Sequence, residues 1–266
     1  MAKPELKRRR LYAARAATRD PRIIIPLASH EKIHDSVTSR YFGLIPAAGS
    51  GSRFGQRGPK QYLPLAGKSM LHHAVARLLA ADEIEIVFVV LAPGDTTFRD
   101  RDWSEFGSRV APLYCGGSSR RDSVLNGLIA AASAVNPNDW ILVHDAARPC
   151  LGRPELHRLI ETVAADEIGG ILAVPATDTL KRADEDRRIV ATESRDGLWQ
   201  AQTPQLFRHA MLVRALRAAP LATDEASAVE SLGYRPMLVE GSSRNIKVTF
   251  PADLETAEIL LKEAEE

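Results

Sequence analysis

The stretch Phe42-Gly43-Leu44-Ile45-Pro46-Ala47-Ala48-Gly49-Ser50-Gly51-Ser52-Arg53-Phe54-Gly55 decides the fold. Phe42 to Ala47 is apolar and of strand length, so it reads as a buried strand. The chain then enters a loop of small residues, whose backbone N–H groups can approach an anion closely and form a nest of donors. Two known phosphate motifs fail here. A dinucleotide fingerprint G-x-G-x-x-G would need its third glycine where Phe54 stands. A Walker A motif ending at Gly67-Lys68-Ser69 would need its first glycine at Tyr62. The loop instead continues to Pro59-Lys60-Gln61-Tyr62, which puts the cations Arg53 and Lys60 on one segment beside the free N–H groups. A surface loop with solvated cations is the plain alternative. A triphosphate site is the functional one, because nucleotidyl transfer depends mainly on positioning and charge stabilisation.

Outward from this stretch, strand and helix patterns alternate. Met70 to Ala80 reads as a helix with Leu71, Val75, Leu78 and Leu79 on one face, and Glu85 to Leu91 as a strand. Val110 to Tyr114 reads as a strand. Ser119 is placed to N-cap a helix that buries Val124, Leu125, Leu128 and Ile129. Trp140 to Val143, Pro154 to Val163 and Gly170 to Val174 continue as strand, helix, strand. Helices are expected around Gln205 to Ala218 and Asp224 to Leu232, strands near Met237 to Glu240 and Asn245 to Val248, and a last helix opened by Pro251. The alternation implies an α/β fold with a mostly parallel, doubly wound sheet covered on both faces. Asp178 to Thr192 breaks the rhythm: it is charged, turns at Ala183-Asp184-Glu185-Asp186, and reads as a projecting β-hairpin arm spanning about 178–195.

Of 266 residues, 45% are hydrophobic and 26% charged, and no apolar run is long enough to span a bilayer. A net charge of +1 gives no global field for nucleic acid, so an anionic ligand must be held by a local cluster of cations. Neither a nucleic-acid nor a membrane partner is expected. Cys115 and Cys150 lack zinc-ligand spacing and are expected as reduced, buried core thiols, which suits a cytoplasmic location. His72, His73 and Trp199 read as packing residues.

The ordered motifs carry a resemblance. Pro46-Ala47-Ala48-Gly49-x-Gly51-x-Arg53-Phe54, Pro59-Lys60-Gln61-Tyr62, Gly116-Gly117-Ser118-Ser119-Arg120 with Asp122-Ser123-Val124, and His144-Asp145-Ala146-Ala147-Arg148-Pro149 come first. Asp178-Thr179-Leu180-Lys181-Arg182, Gly197-Leu198-Trp199-Gln200, Gln202-Thr203-Pro204-Gln205, Thr223-Asp224-Glu225-Ala226-Ser227-Ala228 and Asn245-Ile246-Lys247-Val248-Thr249 follow. Over about residues 41–262 the sequence resembles the 2-C-methyl-D-erythritol 4-phosphate cytidylyltransferases of non-mevalonate isoprenoid synthesis.

That resemblance implies a Rossmann-like nucleotidyltransferase acting on CTP and methylerythritol phosphate with Mg²⁺ or another divalent cation. It implies charge stabilisation by Arg53 and Lys60, with Arg195 and Lys247 positioning the acceptor phosphate. CTP would be bound by Ala47, Ala48, Gly49, Gly51, Lys60, Gly117, Ser118, Ser123 and Ala146. Family members often carry an acid where Ser118 stands. The acceptor would meet Asp145, Arg148, Thr179, Arg195 and Lys247. In the family the arm reaches across a homodimer, so Thr179 and Arg195 would serve the partner's site. Asp145 follows the strand Trp140 to Val143, where α/β sheets place their crevice, and a hard carboxylate there suits Mg²⁺. Its alternatives are a helix cap or an ion pair with Arg148, and Arg148 itself reads equally as a buttress of the loop. Arg120 reads either as a phosphate contact or as a solvated helix end.

Two other functions stand beside this one: a ribitol-5-phosphate cytidylyltransferase and a non-catalytic nucleotide-binding protein. A fused downstream cyclase is not expected at this length. Residues 1–40 hold ten Lys/Arg and four Asp/Glu, and read as a separate, mobile basic extension ahead of a domain at 41–266. A transit peptide, a nucleic-acid-binding arm and a misplaced start near Val37 are the readings of that extension, the last of them preferred.

Overall fold

The structure, a computed structural model, describes residues 39–49 and 58–264. The expectations for residues 1–38 of the basic extension, and those for Gly51 and Arg53, lie outside the described residues; Arg40, at the end of that extension, is held, donating to Asp139 from its N–H at 3.1 Å and its guanidinium at 2.7 Å. Eleven strands are described: β1 Tyr41–Pro46, β2 Pro64–Leu65, β3 Lys68–Ser69, β4 Ile84–Val90, β5 Val110–Leu113, β6 Trp140–Val143, β7 Gly169–Pro175, β8 Leu180–Ala183, β9 Ile189–Glu193, β10 Trp199–Arg208 and β11 Met237–Glu240. The helices are α1 Met70–Leu79, α2 Arg120–Ala131, α3 Arg153–Ala164, α4 His209–Ala218, α5 Glu225–Glu230 and α6 Pro251–Glu263.

Seven strands form one sheet in the order β11-β7-β10-β6-β1-β4-β5. β1 lies parallel to β4 and β6, β4 to β5, and β7 to β11; only β10 runs antiparallel, between β6 and β7. The centre of the sheet, β1 and β6, is buried on both faces because these strands are apolar in both registers. Phe42 and Leu44 pack with Val124 and Leu128 of α2 and Leu212 and Leu216 of α4. Ile45 points the other way, into Leu71, Val75 and Leu78 of α1 and Leu156, Leu159 and Val163 of α3. A Cβ on Gly43 would meet Leu78 and Val87 side chains at 2.9 Å, so α1 rests directly on the β1 backbone. Ser69 and Ser119 cap α1 and α2 by accepting from the N–H groups of His72 (3.2 Å) and Asp122 (3.0 Å), each worth about 1 kcal/mol. A third cluster seats Leu261 and Ala257 of α6 against Leu65, Met70 and Val248.

The arm is present as expected: β8 and β9 pair antiparallel, with Leu180 opposite Glu193 and Lys181 opposite Thr192. A second small hairpin, β2 with β3, precedes α1.

Five expectations need correction. Gln205 to Arg208 is strand, not helix: β10 runs to Arg208 and α4 begins only at His209. Asn245 to Val248 joins no ladder; Val248 is instead tied by its N–H to the Ala147 carbonyl at 2.9 Å. Ile129 is 47% exposed, because α2 turns only Val124 and Leu128 fully inward. Trp199 is 40% exposed at the start of β10 rather than packed. Cys115 and Cys150 are partly buried at cluster edges. Burial still raises both thiols, Cys150 to about 11, so they are protonated at neutral pH. His72 and His73 are buried as expected, with His72 against Trp103 and Phe106 and His73 bonded to the Leu65 carbonyl at 2.8 Å.

Candidate active site

Because β1, β4, β5 and β6 are parallel, the loops after them emerge at one edge of the sheet. The Ala47 N–H donates to the Val90 carbonyl at 2.8 Å, and the Gly116 N–H to Leu91 at 2.8 Å. The two loops touch: a Cβ on Gly116 would lie 2.2 Å from the Ala48 Cβ and 2.8 Å from the Leu91 carbonyl oxygen. Glycine is therefore required there by close approach. The buried Gln61 carboxamide donates to the Ala47 carbonyl at 2.6 Å, fastening the far side of the glycine-rich loop.

Two adjoining hollows open at this edge. One, of about 570 Å³ counting its mouth, is lined by Pro46, Ala47, Gly49, Lys60, Gln61, Met70, Arg120, Asp145, Ala146, Ala147 and Lys247. The other is lined by Pro46, Ala48, Gly49, Gly117, Ser118, Ser119, Arg120 and Ser123. They share Pro46, Gly49 and Arg120.

A chain of four charges lies across the floor. Glu225, fully buried at the first position of α5, accepts from both terminal nitrogens of Arg120 at 2.7 and 3.0 Å. Arg120 Nε donates to Asp145 Oδ1 at 2.8 Å. Asp145 Oδ2 meets Lys247 Nζ at 2.8 Å. Burial would raise the Asp145 carboxyl, but Arg120 and then Lys247 outweigh it and hold it well below the usual carboxylate range. Burial pushes Glu225 upward against the opposing pull of Arg120. Arginine has no acceptor, so a two-point bond from its N–H groups is drawn to the ionised carboxylate. Lys247 keeps half of its side chain exposed, and Lys60 donates to the Val248 carbonyl one residue beyond.

Behind the floor, His144 is fully buried. Its Nε2 lies 3.0 Å from the Arg148 carbonyl, which can only accept, so Nε2 carries the proton. Nδ1 then accepts the Thr203 hydroxyl at 3.0 Å, and the Thr203 oxygen accepts the Asp145 N–H at 3.0 Å. Burial lowers the His144 pKa to about 4, which keeps this neutral tautomer in place.

Of the site residues expected from sequence, Ala47, Ala48, Gly49, Lys60, Gly117, Ser118, Ser123, Asp145, Ala146 and Lys247 line the two hollows. The Ser123 hydroxyl, however, donates to the Ser119 carbonyl at 2.9 Å and accepts the Gly117 N–H at 3.1 Å, so it shapes the turn. The Ser118 hydroxyl turns to Asp122 at 2.8 Å. Arg148 lines neither hollow and donates to the carbonyls of Asn245 at 2.6 Å and Ala201 at 3.3 Å, which is the buttress reading. Thr179 and Arg195 lie exposed at the base of the arm, where Arg195 donates to the Thr177 carbonyl. One chain does not bring them to its own cleft lining. Reasoning from sequence missed Glu225 and left Arg120 undecided. An acid directly after an N-cap Asp passes for a solvated helix start, and only its burial marks it.

Among the described residues no group of three or more His, Cys, Asp or Glu could cage a metal, and no helix is long and apolar enough to cross a membrane. Asp145 is the only carboxylate among the residues lining the two hollows. Its two oxygens already face Arg120 and Lys247, so it suits Mg²⁺ as a single shared carboxylate, the rest of the shell coming from phosphate oxygens and water.

A mostly parallel sheet that brings a glycine-rich turn, two lysines and a salt-bridged Asp to one cleft defines a nucleotidyltransferase. The family model for 2-C-methyl-D-erythritol 4-phosphate cytidylyltransferase (IspD) matches residues 42–263. The enzyme of that name from Aromatoleum aromaticum is 56% identical over 222 residues, 84% of this chain and 95% of its own. A solved 4-diphosphocytidyl-2C-methyl-D-erythritol synthase has a TM-score of 0.75 and 44% identity, covering 85% of this chain and 100% of its own. The solved Francisella tularensis 2-C-methyl-D-erythritol 4-phosphate cytidylyltransferase has a TM-score of 0.71 and 34% identity over 84% and 100%. This chain belongs to the 2-C-methyl-D-erythritol 4-phosphate cytidylyltransferase family.

Proposed function

We propose that the chain transfers the cytidylyl group of CTP to 2-C-methyl-D-erythritol 4-phosphate, giving 4-diphosphocytidyl-2-C-methyl-D-erythritol and pyrophosphate. The convergence of Lys60, Lys247 and Arg120 on one cleft with Asp145 carries this reading. An oxygen of the acceptor phosphate attacks the α-phosphorus and forms the new P–O bond. The bond from that phosphorus to the bridging oxygen breaks, and its electron pair leaves with pyrophosphate. The acceptor phosphate is already an anion, so no general base is needed.

Lys60 neutralises charge gathering on the transferred and leaving phosphates, with Arg53 assigned the same task. Lys247 holds the acceptor phosphate. The turns at Ala48–Gly49 and at Ser118 present their backbone to CTP, as does Ala146, whereas the Ala47 and Gly117 N–H groups are taken by the Val90 carbonyl and the Ser123 hydroxyl and shape the turns. Mg²⁺ or a similar divalent cation would be held by Asp145 and by the phosphates, and would supply further neutralisation of the triphosphate. Thr179 and Arg195 would act from the arm of a partner copy in a homodimer. The exposed Ile189 and Val190 on β9, with Leu198 and Trp199 at the arm's base, support a surface that another chain covers. The cytoplasm is the compartment that fits a reduced pair of thiols.

Pyrophosphate release with CTP, Mg²⁺ and a panel of polyol phosphates tests the reading. Turnover should be fastest with methylerythritol phosphate. Preference for ribitol 5-phosphate, or no release with any acceptor, would overturn it.

A further inference from the structure

We infer that Glu225 is a positioning residue for the transfer: its carboxylate fixes Arg120, so that Arg120 holds Asp145 and, through it, Lys247. The inference rests on the function proposed above and assigns a task to a residue that touches neither hollow.

Arg120 has five N–H donors. Glu225 takes one from each terminal nitrogen, in the planar two-point geometry that sets the orientation of a guanidinium. With that plane fixed, Nε is the donor left facing Asp145, at 2.8 Å. The Asp145 carboxylate is held at one oxygen by Arg120 and at its backbone N–H by Thr203, so its second oxygen is aimed at Lys247. Lys247 is a flexible four-carbon chain, half exposed, on a segment that joins no strand ladder. Its ammonium is therefore placed largely by Asp145.

Glu225 itself is firmly seated. Asp224 caps α5 by accepting the Ser227 N–H at 2.9 Å, and the buried Gln205 side chain accepts from the Ala226 N–H at 2.8 Å while donating to Asp224 at 2.9 Å. The anchor is thus bolted to β10, in the sheet, and the far end of the relay is the mobile cation at the acceptor. Without the Glu225 charge, Arg120 is free to turn its paired terminal nitrogens onto Asp145, and Lys247 loses its guide.

The test uses Glu225→Gln in the full chain, assayed by steady-state pyrophosphate release with both substrates varied. We expect kcat to fall at least about tenfold and the acceptor KM to rise about fivefold, with the CTP KM within about twofold, as for a loss of alignment rather than of nucleotide binding. Adding Glu225→Gln to Lys247→Ala should cost little more, since both act at one point. Glu225→Asp, which keeps the charge, should fall between parent and Gln. An unmoved acceptor KM, or losses that add fully in the double variant, would overturn the inference. So would failure of both Glu225 variants to fold, which would give the pair a folding role alone. A parent chain that releases no pyrophosphate would fail the proposed function; a normal parent with a normal Glu225→Gln fails only this inference.

Discussion

Arg120 with Glu225 in the cleft, and Arg182 with Glu193 on the arm, are the same two chemical groups at nearly the same distance, 2.7 and 2.6 Å. Their surroundings differ completely. Glu225 has no exposed surface, whereas Arg182 and Glu193 are 67% and 39% exposed. Removing Arg120 strands the Glu225 charge where water cannot reach it, whereas on the arm water replaces the lost partner at once. The cleft is thus shaped by charges that must stay paired. The arm is shaped by its backbone ladder and a turn at Asp184–Arg188, and it leaves its apolar side chains outside.

The largest effect falls where a cation serves the reacting phosphates directly. Lys60→Ala and Arg195→Ala should each lower kcat by about a hundredfold or more, the scale for one preorganised charge in a transition state. If arm and cleft meet only across a symmetric pair, the two inactive chains should regain about a quarter of parental activity once mixed and exchanged. Half of the dimers would then be hybrids, each with one sound site. No recovery after proven subunit exchange would separate the arm from catalysis.

A middle effect concerns His144, whose pKa falls from 6.5 when unfolded to about 4 in the cleft. The unfolded chain then binds the proton more readily, so this stability is whole above pH 6.5 and drains away as pH falls towards 4. In urea titrations the advantage of the parent over His144→Gln should shrink by about 3 kcal/mol across that window. A pH-independent gap would mean the imidazole is not held neutral. Smallest of all, Arg182→Ala should shift stability by less than about 0.5 kcal/mol, and a loss above 2 in the same titration would erase the distinction between the regions.

How much was legible follows from the kind of signal each part carries. β1, β6 and β4 from Ile86 onward are apolar runs bounded by turns, and a doubly buried parallel strand can hardly read otherwise. β10 was hidden: Gln205-Leu206-Phe207 runs into α4 with no glycine between, Pro204 argues against a central strand, and the ladder to β7 is irregular between Ala201 and Gln205. Lys247 was legible as a motif residue, but the strand expected around it is absent, since its segment joins no ladder among the described residues and is tied to Ala147 by the Val248 N–H. The hairpin could be read from charge and a turn. Glu225 could not, because nothing local distinguishes a buried acid from a solvated one; its partner Arg120 is 105 residues away in sequence.

β10 also has a mechanical consequence. From Gln205 to Phe207 it is clamped between β6 and β7, whereas from Trp199 to Ala201 it pairs with β7 alone. It is a cantilever whose outer end, held on one side only, lies at the root of the arm, with Thr203 at the lip of the clamp. Thr203 is where the hydroxyl receives the Asp145 N–H. A load applied to the arm by anything that seats on it is therefore resolved at the residue that sets the height of the cleft floor, so the two ends of this strand share one fulcrum.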